Sequence, residues 1–223
     1  IPNNINFFMK HTPKVVLILI SLFIIAHLIG LAVINSYFAQ ELPYNIQKPQ
    51  FEEQTSFIPI SFIIVVATVL VLILLYFKAA RLWKLWFFLS VVFTLLIAFG
   101  AFIDQLLALV LALIFALVKV YRPNVIIHNL TEVFIYGGLA AIFVPVLNVL
   151  SISMLLIIIS IYDMIAVWKT KHMIKLAKFQ SNLKVFAGLI IPYGKNKTAI
   201  LGGGDIGFSL LFAGTMLKVY GLN

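Results

Sequence analysis

The sequence contains no cysteine and few charged residues. Without cysteine, the chain cannot form disulfides, thiolate metal sites or a cysteine nucleophile. Charged residues make up only 10% of the chain, whereas they make up about 25% of a typical soluble domain. Hydrophobic residues make up 63%, which is more than a surface in contact with water can accommodate. The composition therefore excludes an ordinary soluble protein and predicts one whose surface faces lipid.

The sequence also lacks the motifs of metal-dependent and serine hydrolases. It contains neither HExxH nor GxSxG, and its four histidines lie in different segments: His11, His27, His128 and His172. We predict no metal and no cofactor, and expect His27, inside an apolar run, to be packed or hydrogen-bonded rather than a ligand. The net charge is +9, but the basic residues lie between apolar runs rather than along one face, so nucleic-acid binding is not predicted.

Long apolar runs supply the predicted transmembrane segments. A helix needs about 20 apolar residues to cross roughly 30 Å of hydrocarbon. Seven runs reach or approach that length, at residues 15–34, 57–77, 85–102, 106–120, 125–144, 146–168 and 200–220. We predict an all-α fold, a polytopic transmembrane helical bundle in which residues 1–223 form a single transmembrane domain. A basic loop, 169–199, separates the last two spans.

Lysine and arginine predict how the bundle lies in the membrane. They are concentrated before the first span, after the second, after the fourth, and in the loop 169–199, which holds seven lysines. The intervening loops carry acidic residues instead: Glu41, Glu52, Glu53 and Asp104. Because positive charge favours the cytoplasmic side, we predict a multi-pass protein of the cell membrane. Its amino terminus and the loop 169–199 are expected in the cytoplasm.

Three acidic residues lie inside apolar runs: Glu132, Asp163 and Asp205. An ionisable group there costs about 3 kcal/mol on insertion scales and marks a functional site by default. Glu132 lies in the fifth span, close to Gly137 and Gly138. We expect it either to hydrogen-bond across helices or to line a path for water, and we favour the structural role.

Asp163 and Asp205 are predicted to lie at one depth. Asp163 is five residues before Trp168 and Asp205 is five residues after Ile200. Each therefore lies about 8 Å inside the same end of its span, since a helix rises about 1.5 Å per residue. Because the two spans are consecutive and antiparallel, the carboxyl groups can face each other. Facing carboxyls in a low-dielectric site share a proton, and such a pair can activate water without a metal, as in aspartic proteases.

The residues around the two aspartates resemble a known pair of motifs. Tyr162-Asp163 in one span and Gly202-Gly203-Gly204-Asp205 in the next match the YD and GxGD motifs of the presenilin and signal peptide peptidase family, whose members are intramembrane aspartyl proteases. Either motif alone is weak, but both in order and in consecutive spans are specific. The small size and short loops favour a microbial, archaeal homologue. The family fold has nine spans with a Pro-Ala-Leu motif in the ninth, so the resemblance implies further spans after Asn223.

The resemblance implies a role for each motif residue. Asp163 and Asp205 would be the catalytic acid and base, in an order that stays open, and Tyr162 would neighbour the site. The glycines before Asp205 would let backbone and substrate approach closely, although close helix packing in lipid is an alternative reason for them. Substrates would be membrane-embedded helical peptides that enter from the lipid bilayer. The lysine pattern favours the presenilin orientation, and the oligomeric state stays open.

Other functions remain as alternatives to proteolysis. An ion- or proton-coupled transporter or channel also buries aspartates, but it places them near the middle of the membrane beside broken helices. A prepilin-type GxGD peptidase lacks the YD partner in the preceding helix, and a scaffold without activity leaves the matched carboxylates unexplained. We therefore favour an aspartic-type endopeptidase that cleaves transmembrane helices with water activated by two aspartates.

Overall fold

The computed structural model describes residues 12–77, 79–169, 176, 179–180, 183, 185–194 and 197–221. Within these residues the chain forms seven α-helices and one β-hairpin. The helices are α1 (Pro13–Ala39), α2 (Phe57–Tyr76), α3 (Ala80–Gly100), α4 (Gln105–Tyr121), α5 (Val125–Phe143), α6 (Val149–Met164) and α7 (Gly203–Tyr220). The strands are β1 (Gly188–Tyr193) and β2 (Lys197–Gly202), and a π-helical turn at Ile165–Lys169 extends α6.

The described helices form a polytopic membrane bundle, as the hydropathy predicts. Five of them are long and apolar enough to cross a membrane by length and composition, namely α1, α2, α3, and α5 and α6 with the short turns that extend them. The sequence also predicts spans at α4 and α7. Helix α4 is apolar but shorter. Helix α7 is not among the five, since it is rich in glycine and carries Asp205 and Lys218.

Successive helices run in opposite directions, so alternate connections lie at the same end of the bundle. At one end, the Tyr37 hydroxyl near the end of α1 donates to the Ile97 carbonyl near the end of α3. Lys218, near the end of α7, donates there to the carbonyls of Pro145 and Leu147 in the α5–α6 connection. The hairpin lies at the other end, where α1, α3, α5 and α7 begin. We call this the hairpin end.

Helix α5 is the centre of the bundle. It packs against α1, α3, α4 and α7 and against strand β1. Its small residues allow this: a Cβ on Gly137 would lie 3.0 Å from the Gly30 Cα of α1, and a Cβ on Gly138 would overlap the Thr94 carbonyl oxygen of α3. Half of the α5 span is buried, against 6% of the α2 span. The central position of α5 lets its polar side chains reach elements on several sides.

The structure corrects three predicted boundaries. Helix α3 begins at Ala80, not at residue 85, and so includes Arg81 and Lys84 in its first turns. The predicted seventh span began at residue 200, but 197–202 form a strand and the helix begins at Gly203. The predicted loop 169–199 contains β1, whose backbone pairs with β2. Tertiary pairing outweighs hydropathy in this short segment, which carries the β-branched Thr198 and Ile200. Most of the rest of that loop lies outside the described residues.

Lys119 is a further correction. The sequence places it at the end of the fourth predicted span, where it counts with Arg122 as a signal of orientation. In the structure Lys119 is only 2% exposed and its ammonium turns into the bundle, 2.7 Å from the Glu132 carboxylate. Glu132 therefore hydrogen-bonds across helices, which is the structural role favoured for it.

Gly138→Ala should destabilise the bundle because the added methyl meets the backbone of α3, which cannot rotate away. Overpacking of this kind costs about 1–3 kcal/mol or more. Gly207→Ala is the matched control, since its Cβ would find the Tyr136 ring at an ordinary 3.7 Å. Thermal unfolding in detergent should show a clear drop in Tm for Gly138→Ala alone. Equal Tm values would contradict the close α3–α5 contact.

Candidate active site

A cavity of about 470 Å³ lies between α6 and α7. Its lining residues are Leu156, Ile159, Ser160 and Asp163 from α6, and Gly204, Asp205, Phe208, Ser209 and Phe212 from α7. In each helix four of these residues follow the spacing i, i+3, i+4, i+7, which places them on one helical face. The cavity is acidic towards the hairpin end and mainly apolar beyond it. Such a groove suits an apolar segment with one polar group near the aspartates.

The structure brings Asp163 and Asp205 together. Asp163 lies in the last turn of α6, and Asp205 is the third residue of α7. Both line the cavity. Since α7 begins at Gly203, Asp205 lies nearer the start of its helix than the sequence predicts. The two carboxyls nevertheless share one site because α6 and α7 are antiparallel neighbours.

The three glycines before Asp205 meet different surroundings. A Cβ on Gly202 would lie 3.3 Å from the Asp205 Oδ2, so this backbone runs directly beside the carboxylate. A Cβ on Gly203 would lie 2.7 Å from the Tyr136 hydroxyl of α5. A Cβ on Gly204 would meet nothing closer than 3.9 Å and would project into the cavity. Close helix packing therefore explains Gly203, whereas Gly202 and Gly204 leave room at the site.

Tyr162 does not line the cavity. Its hydroxyl donates to the Thr68 Oγ1 on α2, at 3.1 Å. Tyr162 and Asp163 are adjacent on α6, so their side chains point in different directions around the helix. The tyrosine thus connects α6 to α2 while the aspartate faces α7.

Sequence reasoning missed Ser209 and its partner. The Ser209 hydroxyl lines the cavity and lies 2.9 Å from the Nε2 of His27 on α1. The His27 Nδ1 in turn lies 2.9 Å from the Phe23 carbonyl, so the expectation that His27 is hydrogen-bonded is confirmed. The spacing that connects Asp205, Phe208, Ser209 and Phe212 could have identified the cavity face of α7. Nothing in the sequence indicated that His27 would meet it.

The hairpin leads straight to Asp205, and its two edges differ. Gly188 pairs with Gly202 and Ile190 with Ile200 in the antiparallel register. Both the N–H and the carbonyl of Ile190 bond to the Asn129 side chain of α5, so they point away from β2. Directly opposite residues in an antiparallel pair exchange either both bonds or neither. The N–H and carbonyl of Ile200 therefore also point outwards, along the other edge.

Strand β2 is an edge strand in the described part of the chain, where the sheet has only two strands. Thr198 and Ile200 are exposed along it. An unpaired strand edge is a template for another extended segment. Because β2 ends at Gly202, an extended segment along this edge would be directed towards Asp205.

Comparisons with known proteins found a matching family model and similar solved structures. A family model described as signal-peptide peptidase, presenilin aspartyl protease matches residues 20–205. Among solved structures, a presenilin family intramembrane aspartate protease is similar with a TM-score of 0.60 and 17% identity. The match covers 93% of this chain and 79% of that one, and at this identity it shows a shared fold. No curated protein matches the sequence significantly.

Paired cysteines can report the approach of the two aspartates, because the chain has none of its own. Asp163→Cys/Asp205→Cys should be joined efficiently by a short bifunctional thiol reagent, since both side chains line one cavity. Met164→Cys/Asp205→Cys is the control, because Met164 is exposed yet lies outside the cavity lining. Mass spectrometry of the digested protein would measure the cross-link. Equal yields for the two pairs would mean that the aspartates do not share a cavity.

Proposed function

The chain belongs to the signal-peptide peptidase and presenilin aspartyl protease family, and we propose that Asp163 and Asp205 activate the water with which it cleaves transmembrane helices. The observation that carries this proposal is the shared cavity of two carboxyls on consecutive antiparallel helices. Within the described residues, no group of three or more histidine or acidic side chains could hold a metal ion. The chemistry that these residues offer is acid–base chemistry by a pair of carboxyls.

The proposed reaction uses one ionised and one protonated aspartate. The ionised carboxylate takes a proton from water as the water oxygen attacks the substrate carbonyl carbon, and the protonated carboxyl gives its proton to the carbonyl oxygen. A tetrahedral diol results. Its collapse breaks the C–N bond, with one proton passing to the leaving nitrogen and one returning to the aspartates. The pair ends with the single shared proton that it had at the start.

Access from lipid follows from where the cavity opens. Ser160, Asp163, Asp205 and Phe212 are exposed in the described structure. We infer that a helical substrate embedded in the membrane approaches the groove from this exposed side. The apolar part of the groove accommodates apolar side chains of the substrate.

Strand β2 is proposed to hold the substrate in an extended form. A helix hides its peptide bonds in internal hydrogen bonds, so it must unwind before water can attack. The outward N–H and carbonyl of Ile200 offer replacement hydrogen bonds to the unwound segment. Because Gly202 lies beside the Asp205 carboxylate, a strand paired with β2 brings a peptide bond to the two aspartates.

The orientation is proposed from the charges at the two ends of the bundle. The hairpin end carries described basic residues: Lys14, Arg81, Lys84, Arg122, Lys169 and Lys197. The opposite end carries four acidic residues, Glu41, Glu52, Glu53 and Asp104, and only two described basic ones, Lys48 and Lys218. Since basic residues favour the cytoplasmic side, we place the hairpin end and the site towards the cytoplasm, in the presenilin orientation within the cell membrane.

Asp163→Asn and Asp205→Asn should each abolish cleavage of a single-span peptide in liposomes. An amide can neither take the proton from water nor supply an acidic one, and such groups contribute about 10²–10⁴-fold to rate. Each variant should keep its Tm, since both side chains are exposed in the cavity. Product formation would be followed by mass spectrometry.

Asp104→Asn is the matched control for these substitutions. Asp104 caps α4 at the opposite end of the bundle by accepting from the Leu106 N–H, which asparagine can also do. It should keep normal cleavage. Normal cleavage in either cavity variant would rule out the proposed pair. A cation or proton flux in proteoliposomes that depended on Asp163, without any proteolysis, would favour the transport alternative.

Ile200→Pro should weaken substrate binding while leaving the hairpin intact. Proline removes the outward N–H of Ile200, which does not bond to β1, and it is tolerated at such edge positions. Ala199→Pro is the contrasting variant, because Ala199 faces Ile191 in a pair that bonds across the hairpin. Losing one backbone hydrogen bond should reduce kcat/KM about 10-fold for Ile200→Pro, with Tm unchanged. Ala199→Pro should lower Tm as well. An unchanged kcat/KM for Ile200→Pro would exclude pairing of the substrate along β2.

A further inference from the structure

Side chains of α5 occupy the place of a third strand beside the hairpin. The Asn129 amide donates to the Ile190 carbonyl at 2.7 Å, and its oxygen accepts from the Ile190 N–H at 2.9 Å. One step deeper, His128 Nε2 donates to the Gly188 carbonyl at 2.8 Å, and Glu132 accepts from the Gly188 N–H at 2.9 Å. Both backbone groups of two alternate strand residues are thus paired with a helix.

Each of the two strand residues bonds to its own part of α5. His128 and Glu132, four residues apart on one face of the helix, both bond to Gly188, whereas Asn129 bonds to Ile190. These contacts hold β1 at one height along α5. A slip of the strand would separate both pairs of hydrogen bonds at once.

The deeper contacts are held rigidly by a buried network. The Lys119 ammonium is bonded to the Glu132 carboxylate at 2.7 Å, to Thr131 Oγ1 at 3.1 Å and to His128 Nδ1 at 3.2 Å. An ammonium has three protons to donate, so this group is satisfied. The second oxygen of Glu132 accepts from the Tyr136 hydroxyl. The two side chains that bond to Gly188, His128 and Glu132, are therefore themselves held in place by hydrogen bonds.

The network also reaches the turn before Asp205. The Tyr136 hydroxyl, bonded to Glu132, lies 2.7 Å from the place that a Cβ of Gly203 would take. One connected set of contacts therefore relates the height of β1, the start of α7 and the position of Asp205. Asn129 stands apart from this set because it is only partly buried and its side chain bonds to the backbone of Ile190.

We propose that Asn129 is a specificity-determining residue that sets the register of the hairpin and so selects which peptide bond of the substrate is cut. This inference rests on the proposed function, in which the substrate pairs with β2. Because β1 is paired with β2, fixing β1 on α5 also fixes β2. A substrate strand paired with β2 is then fixed relative to the two aspartates. When the hairpin is released, the favoured slips are of two residues, because a slip of one residue turns every side chain to the opposite face.

A purely structural role for Asn129 would lower stability without changing the cut position. The product distribution therefore separates the two roles, and stability alone does not. We choose Asn129→Leu, which keeps the shape of the side chain and removes both hydrogen bonds. The control is Ser36→Ala, which removes a 2.9 Å hydrogen bond to the Ala101 carbonyl between α1 and α3 at the opposite end of the bundle.

The experiment is cleavage of a single-span peptide in liposomes by the full chain, with every product identified by mass spectrometry. For Asn129→Leu, the ratio of the main product to products displaced by two residues should fall about 10-fold, as expected for losing two hydrogen bonds. Ser36→Ala should keep the ratio of the unmodified protein. An unchanged ratio in Asn129→Leu would overturn the inference while leaving the proposed protease intact. Absence of cleavage by the unmodified chain would instead overturn the proposed function.

A second variant tests the same contact by changing the strand residue instead of Asn129. Ile190→Pro removes the N–H that donates to Asn129 and leaves the pairing with β2, because Ile190 does not bond across the hairpin. It should produce the same displaced products, and the double variant should change the ratio no further than Asn129→Leu does. If Asn129→Leu does not fold, an unchanged ratio in Ile190→Pro overturns the inference. Additive shifts in the double variant would also overturn it, because the two residues would then act separately.

Discussion

Hydrogen bonding of the hairpin backbone is the constraint on which the site depends. Helices satisfy their own backbone groups, so they can lie in lipid without further partners. A strand cannot, and each of its unpaired N–H and carbonyl groups is costly away from water. Along one edge of the hairpin, that of β1, polar side chains of α5 bond to the backbone N–H and carbonyl groups. Its other edge, along β2, stays open beside the two aspartates, where an extended segment can supply the missing partners.

The buried Lys119–Glu132 pair follows from the same constraint. Both residues are at most 2% exposed, so the pair loses hydration that the attraction between the charges only partly repays. It adds little stability by comparison with apolar residues of the same size. Its use is positional, because the carboxylate also holds the Gly188 N–H and the Tyr136 hydroxyl. A buried charged pair thus fixes the height of strand β1.

The aspartates, the cavity and the glycines form a second unit that depends on the first. The cavity face of α6 ends at Asp163, and that of α7 begins at Asp205, so the acidic groups lie together only because the helices are antiparallel neighbours. Gly203 lets α7 begin against Tyr136, whereas Gly202 and Gly204 leave the space around the carboxylate open. The GGGD segment therefore serves both the packing and the chemistry, and the two explanations offered for its glycines apply to different residues.

The sequence by itself determined the apolar helices, their alternating direction and the acidic residues near the ends of α6 and α7. These features depend on local sums of hydropathy and on helical spacing, which the order of residues contains. Only the tertiary structure decided that residues 197–202 form a strand, that Lys119 turns inwards, and that Asn129 and Glu132 bond to residues more than 50 positions away. Backbone hydrogen bonds of a strand need a partner that hydropathy does not identify. The partner here is a helix, which no strand pattern would have suggested.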